Sequence, residues 1–284
     1  MNDASPGVTL AATYPSLAGK RVVITGGGSG IGAGLVEAFA RQGAETIFVD
    51  ILEDESRALV ARLAGMPAAT VFHRVDLTDL AAMESFFQKL GGIDVLVNNA
   101  GNDDRHTLQD ITPDYWDERM AVNLRHMLFA AKAVAPGMKA RGGGAIINLG
   151  SISWHLGLPG LLLYETAKAG IEGLTRALAR ELGPDNIRVT AVVPGNVKTP
   201  RQQKWYTPEG EAEIVAHQCL KARIAPHARC TPAKRRAWKR PTTRISAPIH
   251  HGNQPPSPRT GTARWRPTAR QHQSPDPDVA HRVP

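Results

Sequence analysis

The sequence predicts an α/β fold built on a doubly wound parallel sheet. Six short β-branched runs are spread between residues 21 and 193, and stretches of helical length with one apolar face separate them. Polar or glycine-rich residues recur where these runs end. Strand and helix in alternation make a parallel sheet covered on both faces, and ligands of such sheets lie at the carboxyl ends of the strands.

The first run is Arg21-Val22-Val23-Ile24-Thr25, broken by Gly26-Gly27-Gly28-Ser29-Gly30-Ile31-Gly32 before a helical pattern that reaches Gln42. Strand, glycine turn and helix in that order let the backbone come close to a pyrophosphate, whose charge the helix N-terminus favours. The candidate contacts are Gly26, Ser29, Gly30, Ile31 and Gly32. The second strand, Glu45 to Asp50, ends in a carboxylate eighteen positions after Gly32. Asp50 can accept from the adenosine ribose hydroxyls and would repel a 2′-phosphate. Ile51 and Leu52 follow it, and Gly27 to Ser29 include no Arg or Lys, so NAD is expected rather than NADP.

Thr70 to Asp76, Ile93 to Asn98, Ala145 to Leu149 and Ile187 to Val193 read as the remaining strands. At their ends stand Asp76 with Leu77, then Asn98-Asn99-Ala100-Gly101, Ser151, and Pro194-Gly195. Asp76 can cap a helix beginning near Asp79 or touch adenine, and Asn99 can hold a turn or the cofactor. The residues leave both pairs of readings open.

Tyr164 and Lys168 stand four apart, so a helix presents them on one face, and Ser151 lies thirteen residues upstream. A lysine ammonium beside a phenol favours phenolate and, assisted by an oxidised nicotinamide, is expected to lower the phenol toward the working pH and make it a general base. Ser151 would hold the substrate oxygen.

Thr25-Gly26-x-x-x-Gly30-x-Gly32, Asn98-Asn99-Ala100-Gly101, Asn123, Ser151, Tyr164-x-x-x-Lys168 and Pro194-Gly195 resemble the short-chain dehydrogenase/reductases in order and spacing, over roughly residues 15 to 219. The resemblance implies a Rossmann-type sheet and a homotetramer. It also implies that Tyr164 exchanges the substrate proton, Ser151 orients the substrate and Asn123 supports a water-linked proton path through Lys168. Asn99, Val197 and Thr199 would line the cofactor site. Asn102-Asp103-Asp104-Arg105-His106, Tyr115-Trp116-Asp117-Glu118-Arg119, Ser153-Trp154-His155-Leu156-Gly157 and the stretch from Lys204 to Glu211 resemble the bacterial NAD-dependent sugar dehydrogenases of that family. They imply oxidation of an aldose, D-xylose first, at its anomeric hydroxyl. Asn102, Ser151, Ser153, Trp154, Tyr164 and Asn196 could form a polar pocket with an aromatic wall for a sugar face. Those residues do not choose among sugars. His155 is expected on the pocket wall or surface rather than as the base, and Trp205 with Tyr206 either anchors a lid or touches substrate.

Composition breaks after Cys219. From Lys221 onward 14 Lys and Arg face 2 Asp, about +12, which leaves about −4 on the residues before it. Eleven of the 21 prolines lie in that stretch. A dehydrogenase domain over 1–219 and a disordered basic tail over 220–284 are therefore expected. The resemblance implies one more helix and a final strand beside the sixth, which nothing after Cys219 supplies. We hypothesise from this break that the tail is a shifted reading frame; translating the other frames of the coding DNA would refute it if neither encodes an apolar strand. On that hypothesis the sixth strand keeps an open edge and turnover is at risk.

Lys234-Arg235-Arg236-Ala237-Trp238-Lys239-Arg240 could neutralise phosphates and stack a base, but no nucleic-acid fold surrounds it, so nucleic acid is not expected as a partner. A dinucleotide-binding chain without turnover is opposed by the presence of Ser151, Tyr164 and Lys168. With 284 residues and 42% hydrophobic content, one substantial core is expected. No apolar run approaches the ~20 residues that cross a bilayer and no leader pattern opens the chain, so a cytoplasmic protein with no membrane partner is expected. Two cysteines suggest neither a disulfide framework nor a zinc site, and no metal is expected.

Overall fold

The computed structural model describes residues 12–203, 206–219 and 221–226. Six parallel strands form one sheet: β1 (Arg21–Thr25), β2 (Glu45–Asp50), β3 (Thr70–Arg74), β4 (Val95–Asn98), β5 (Gly144–Leu149) and β6 (Ile187–Val192). Their spatial order is β3-β2-β1-β4-β5-β6. The order reverses between β1 and β4, whose register pairs Thr25 with Asn98, and a crevice opens at their carboxyl ends.

Period-two alternation sends neighbouring side chains to opposite faces. Val22, Ile24 and Phe48 pack with α1 (Gly30–Arg41) and α2 (Glu53–Arg62). Val23, Ile47 and Val49 pack on the other face with α3 (Leu80–Leu90), which follows β3, and with the long helix ahead of β5, Ala130 to Met138 among its residues. α4 (Pro113–Met120) starts at a Thr112 cap and continues through a wide π turn, Ala121–Arg125, into that long helix, α5 (His126–Ala140). A short α6 (Ser153–Leu156) follows β5, and α7 (Leu162–Leu182) packs on β6. Beyond β6 come α8 (Pro200–Gln203) and α9 (Pro208–His217).

Three strands are shorter than expected, each for a local reason. β3 stops at Arg74 because Asp76 folds into a turn, its Oδ1 accepting from Thr78 N at 2.9 Å and Thr78 Oγ1 at 2.7 Å. The cap of α3 is Asp79, which accepts from Ala81 N and Ala82 N, so Asp76 is not the cap itself. β4 begins only at Val95, since the Asp94 carboxylate holds Arg21 N at 2.9 Å and Arg141 at the amino edge of the sheet. β6 ends before Val193-Pro194, where proline cannot donate to a ladder.

Among the described residues β6 pairs only with β5, and its far side carries no seventh strand. Val192 and Val193 are exposed there, and a groove of about 450 Å³ runs beside α7, lined by Glu172, Thr175, Arg176, Val189 and Val193 among others. The chain stays packed past the expected boundary at 219: Val197 pairs with Ile224, and Lys198 N donates to Ile224 O at 2.7 Å. The tail expected to be disordered lies, from residue 227 onward, outside the described residues.

Candidate active site

At the carboxyl end of β1 the backbone is kept bare. Gly26 has φ +66°, and a Cβ there would lie 2.7 Å from Ala100 Cα. A Cβ on Gly32 would lie 1.8 Å from Gly26 O, so the loop and α1 touch main chain to main chain. Ser29 precedes α1 without capping it through its side chain, leaving first-turn amides for an anion. This cradle fits the pyrophosphate of a dinucleotide. Asp50 stands against it: Gly28 N donates to its Oδ2 at 2.7 Å, while Ile51 N and Leu52 N donate to Oδ1.

Thr25, which heads the glycine motif, ties the loops together. Its Oγ1 accepts from Asn99 N at 3.0 Å and Ala100 N at 3.1 Å. Asn99 returns the link, donating through Nδ2 to Thr25 O and Gly26 O, so its side chain holds a turn between β1 and β4. Across the glycine loop, Thr199 Cγ2 would stand 3.3 Å from a Cβ on Gly30. Ile31 is half-buried, and the Leu77 side chain belongs to the core. Pro194 O accepts from Ile152 N, and Val197 N bonds back to Gly195 O, fixing the turn that follows β6.

Tyr164 and Lys168 lie one turn apart on α7, as their spacing predicts. Lys168 is buried, donates to Leu149 O at 2.8 Å and stands 5.3 Å from the centre of the Tyr164 ring. Tyr164 hydrogen-bonds Ser151, whose Oγ also meets Ser153 Oγ at 2.9 Å and accepts from Ser153 N. Asn123 sits in the π turn and commits its amide to main chain: Oδ1 accepts from Asn102 N at 2.8 Å, and Nδ2 donates to Asn102 O and Arg119 O. It therefore positions the 101–103 loop against Lys168, whose Nζ would be 3.4 Å from a Cβ on Gly101.

Without the cofactor the lysine alone does not set the phenol. Burial pushes the Tyr164 phenol up to about 12, the negative charge of Asp103 adds to that, and Ser151 and Arg201 act the other way. The lysine does not bring the phenol down in the cofactor-free protein, because desolvation penalises the phenolate more than neighbouring groups favour it. Burial also lowers Lys168 to about 8, with Asp103 opposing the fall. Lys168 is thus a group that can gain and lose a proton near neutral pH rather than a fixed charge. Below it His126 is wholly buried and held down to about 4 by the same desolvation, so it is neutral.

The proposed sugar pocket is assembled unevenly. Asn102 Oδ1 accepts from Asp104 N, and Asn196 O accepts from Arg223. Trp154 donates its indole N–H to Glu172 at 2.9 Å and stacks on His155, whose Nε2 meets the same carboxylate at 3.1 Å. His155 is on the surface, as expected. Trp205 lies outside the described residues, and Tyr206 is covered by the Arg223 guanidinium at 5.3 Å. Two charged residues not predicted for the site meet at its mouth: Arg201 Nη1 is 3.6 Å from Asp103 Oδ1 and donates to Gly101 O at 3.2 Å.

This fold and this serine, tyrosine and lysine arrangement define a class. The family model for short chain dehydrogenases matches residues 20–210, and the chain belongs to that family. It is an oxidoreductase. It is 74% identical over 215 residues to the D-xylose 1-dehydrogenase of Caulobacter vibrioides, covering 76% of this chain and 87% of that protein. It is 50% identical over 214 residues to a probable galactose dehydrogenase of Rhizobium meliloti, with 73% and 84% covered. Among solved structures, a putative NAD(P)-dependent gluconate 5-dehydrogenase from Beutenbergia cavernae with bound NADP superposes with a TM-score of 0.71 at 30% identity, covering 75% of this chain and 88% of that one. A 7α-hydroxysteroid dehydrogenase in complex with NADH gives 0.70 at 29% identity, covering 74% and 84%.

Proposed function

We propose that this chain oxidises an aldose, D-xylose in the first place, at its anomeric hydroxyl with NAD. The observation that carries the reading is the Ser151–Tyr164–Lys168 arrangement at the carboxyl end of β5, on a chain so similar to a D-xylose dehydrogenase. Ser151 orients the hydroxyl and Tyr164 takes its proton. Lys168 exchanges protons beyond the phenol, a role that its depressed pKa near neutrality supports. The dinucleotide, when bound, accepts the hydride and brings a positive nicotinamide ring, which favours the phenolate. Gly26, Ser29, Gly30, Ile31 and Gly32 would hold the pyrophosphate. Asp50 would hold the adenosine ribose, and its carboxylate supports NAD over NADP. Asp76, Leu77, Ala100, Gly101, Pro194, Gly195, Val197 and Thr199 complete the proposed cofactor wall. The family's tetramer and a cytoplasmic location belong to the same reading.

The test is NADH production by the purified full-length chain with D-xylose, D-galactose and D-glucose, each with NAD and with NADP. The largest kcat/KM for D-xylose with NAD is expected. Reduction with no sugar, by a chain that circular dichroism shows to be folded, would overturn the sugar assignment.

A further inference from the structure

The mouth of the site carries a charge pair that the catalytic chemistry does not use. Asp103 is two residues past Gly101, on the loop that Asn123 presses against Lys168, and its side chain is three-quarters buried. Its ion-pair partner comes from a different part of the chain: Arg201 on α8, which also donates to Gly101 O and so lies across the loop. Asp103 is close enough to act electrostatically on both Tyr164 and Lys168. A carboxylate there raises the phenol that must ionise, so its presence opposes proton abstraction and needs another reason. The chemistry of a sugar supplies one. An aldose presents hydroxyl donors beside the reacting carbon, and an ionised carboxylate is a strong acceptor for them.

We propose that Asp103 is a specificity-determining residue, accepting a hydrogen bond from a sugar hydroxyl adjacent to the reacting one, and that Arg201 holds this acceptor oriented until the sugar takes its place. The proposal rests on the aldose reading above. At 3.6 Å, with Arg201 nearly half exposed, the pair is loose enough to yield to a substrate hydroxyl. Arg201 keeps its hold on Gly101 O, so α8 stays over the loop when Asp103 is released.

Steady-state kcat/KM for D-xylose and for its 2-deoxy, 3-deoxy and 4-deoxy analogues tests this in the wild type, Asp103→Ala, Asp103→Asn and Arg201→Ala. The 2-deoxy analogue is expected to fall about 10–10²-fold below D-xylose in the wild type, the loss of one hydrogen bond to a charged group. In Asp103→Ala that ratio should shrink to within about threefold of unity, while Asp103→Asn keeps part of it and Arg201→Ala keeps it whole. NADH binding followed by fluorescence confirms that each variant is folded. Unchanged discrimination in Asp103→Ala against the 2-deoxy analogue would overturn the proposal and leave the aldose reading standing. Discrimination lost in Arg201→Ala with Asp103 intact would transfer the role to the arginine and overturn it as well. A folded wild type that oxidises no sugar would sink the aldose reading, and this assignment with it.

Discussion

The half of the crevice under β1 and β2 is made of main chain, whereas the half under β5 and β6 is made of side chains. In the first, glycines bring backbone against backbone, and the staples of Thr25, Asn99 and Asp50 all end on peptide groups. In the second, a phenol, an ammonium and a serine hydroxyl project from α7 and the end of β5, and the mouth is closed by ion pairs from α8 and α9. Arg223 links that closing segment together, bonding Asn196 O, Gln202 Oε1 and Glu211 Oε1. A site built from main chain tolerates almost no added volume but gains little from tuning. A site built from side chains can be retuned one charge at a time, because burial and neighbours set its protonation.

The first half should break abruptly. Gly32→Ala would place a methyl 1.8 Å from Gly26 O, where neither partner is a flexible side chain. Loss of measurable NADH binding is expected, together with a destabilisation of at least about 3 kcal/mol, read from fluorescence titration and urea unfolding. Binding retained at wild-type affinity would show that the loop can open and that the main-chain description is wrong.

The second half should lose chemistry and keep its fold. Tyr164→Phe removes the proton acceptor while filling the same volume, so turnover should fall roughly 10²–10⁴-fold with NADH affinity unchanged. Near wild-type turnover would remove Tyr164 from the mechanism. Asp50→Ala lies between the two regimes, for Asp50 is a side chain serving the main-chain half. It should lower the preference for NAD over NADP about 10–10²-fold, measured as the ratio of kcat/KM values, since a charged acceptor and a repulsion disappear together. Equal preference before and after the change would count against the cofactor assignment.

This contrast also explains what could be read from the sequence. The strand, glycine turn and helix at residues 21–41 were legible because only glycine fits there, and Tyr164 with Lys168 because one helix sets their spacing. Of the two readings left open for Asp76, the structure removes the cap: the carboxylate three residues later caps α3, and either carboxylate satisfies a cap pattern. The Asp103–Arg201 pair spans the fold between a β4 loop and α8, and no periodicity joins residues so far apart. Arg223 lay inside a stretch whose composition predicts disorder, yet it is nearly buried against Glu211 and Tyr206. The burial that raises Tyr164 in the cofactor-free protein was hidden for a related reason. A four-residue spacing reveals which charge is near, but not how dry the surroundings are.

The mouth pair gives the finest test of the contrast, because its two members act on Tyr164 with opposite sign. Oxidation needs the phenolate, so kcat/KM should rise with pH through the phenol pKa of the cofactor-bound protein. The charged groups acting on that phenol are Asp103 from the β4 loop, which raises it, and Arg201 from α8, which lowers it; Ser151 lowers it by hydrogen bonding, and Lys168 lies one turn along α7. Asp103→Asn should therefore move the rising limb to lower pH and Arg201→Ala to higher pH. The first variant also loses some rate at every pH if Asp103 holds the sugar, but a change of height is separable from a change of position. Asp103 acts on Lys168 too, holding its pKa up, so in Asp103→Asn the ammonium gives up its proton at lower pH and any limb that reports it shifts the same way. Opposite displacements in the two variants would establish that the pair tunes the phenol through charge. Displacement in one direction for both would mean that each change merely loosens α8 over the site, and the side-chain half would then be held as mechanically as the glycine half.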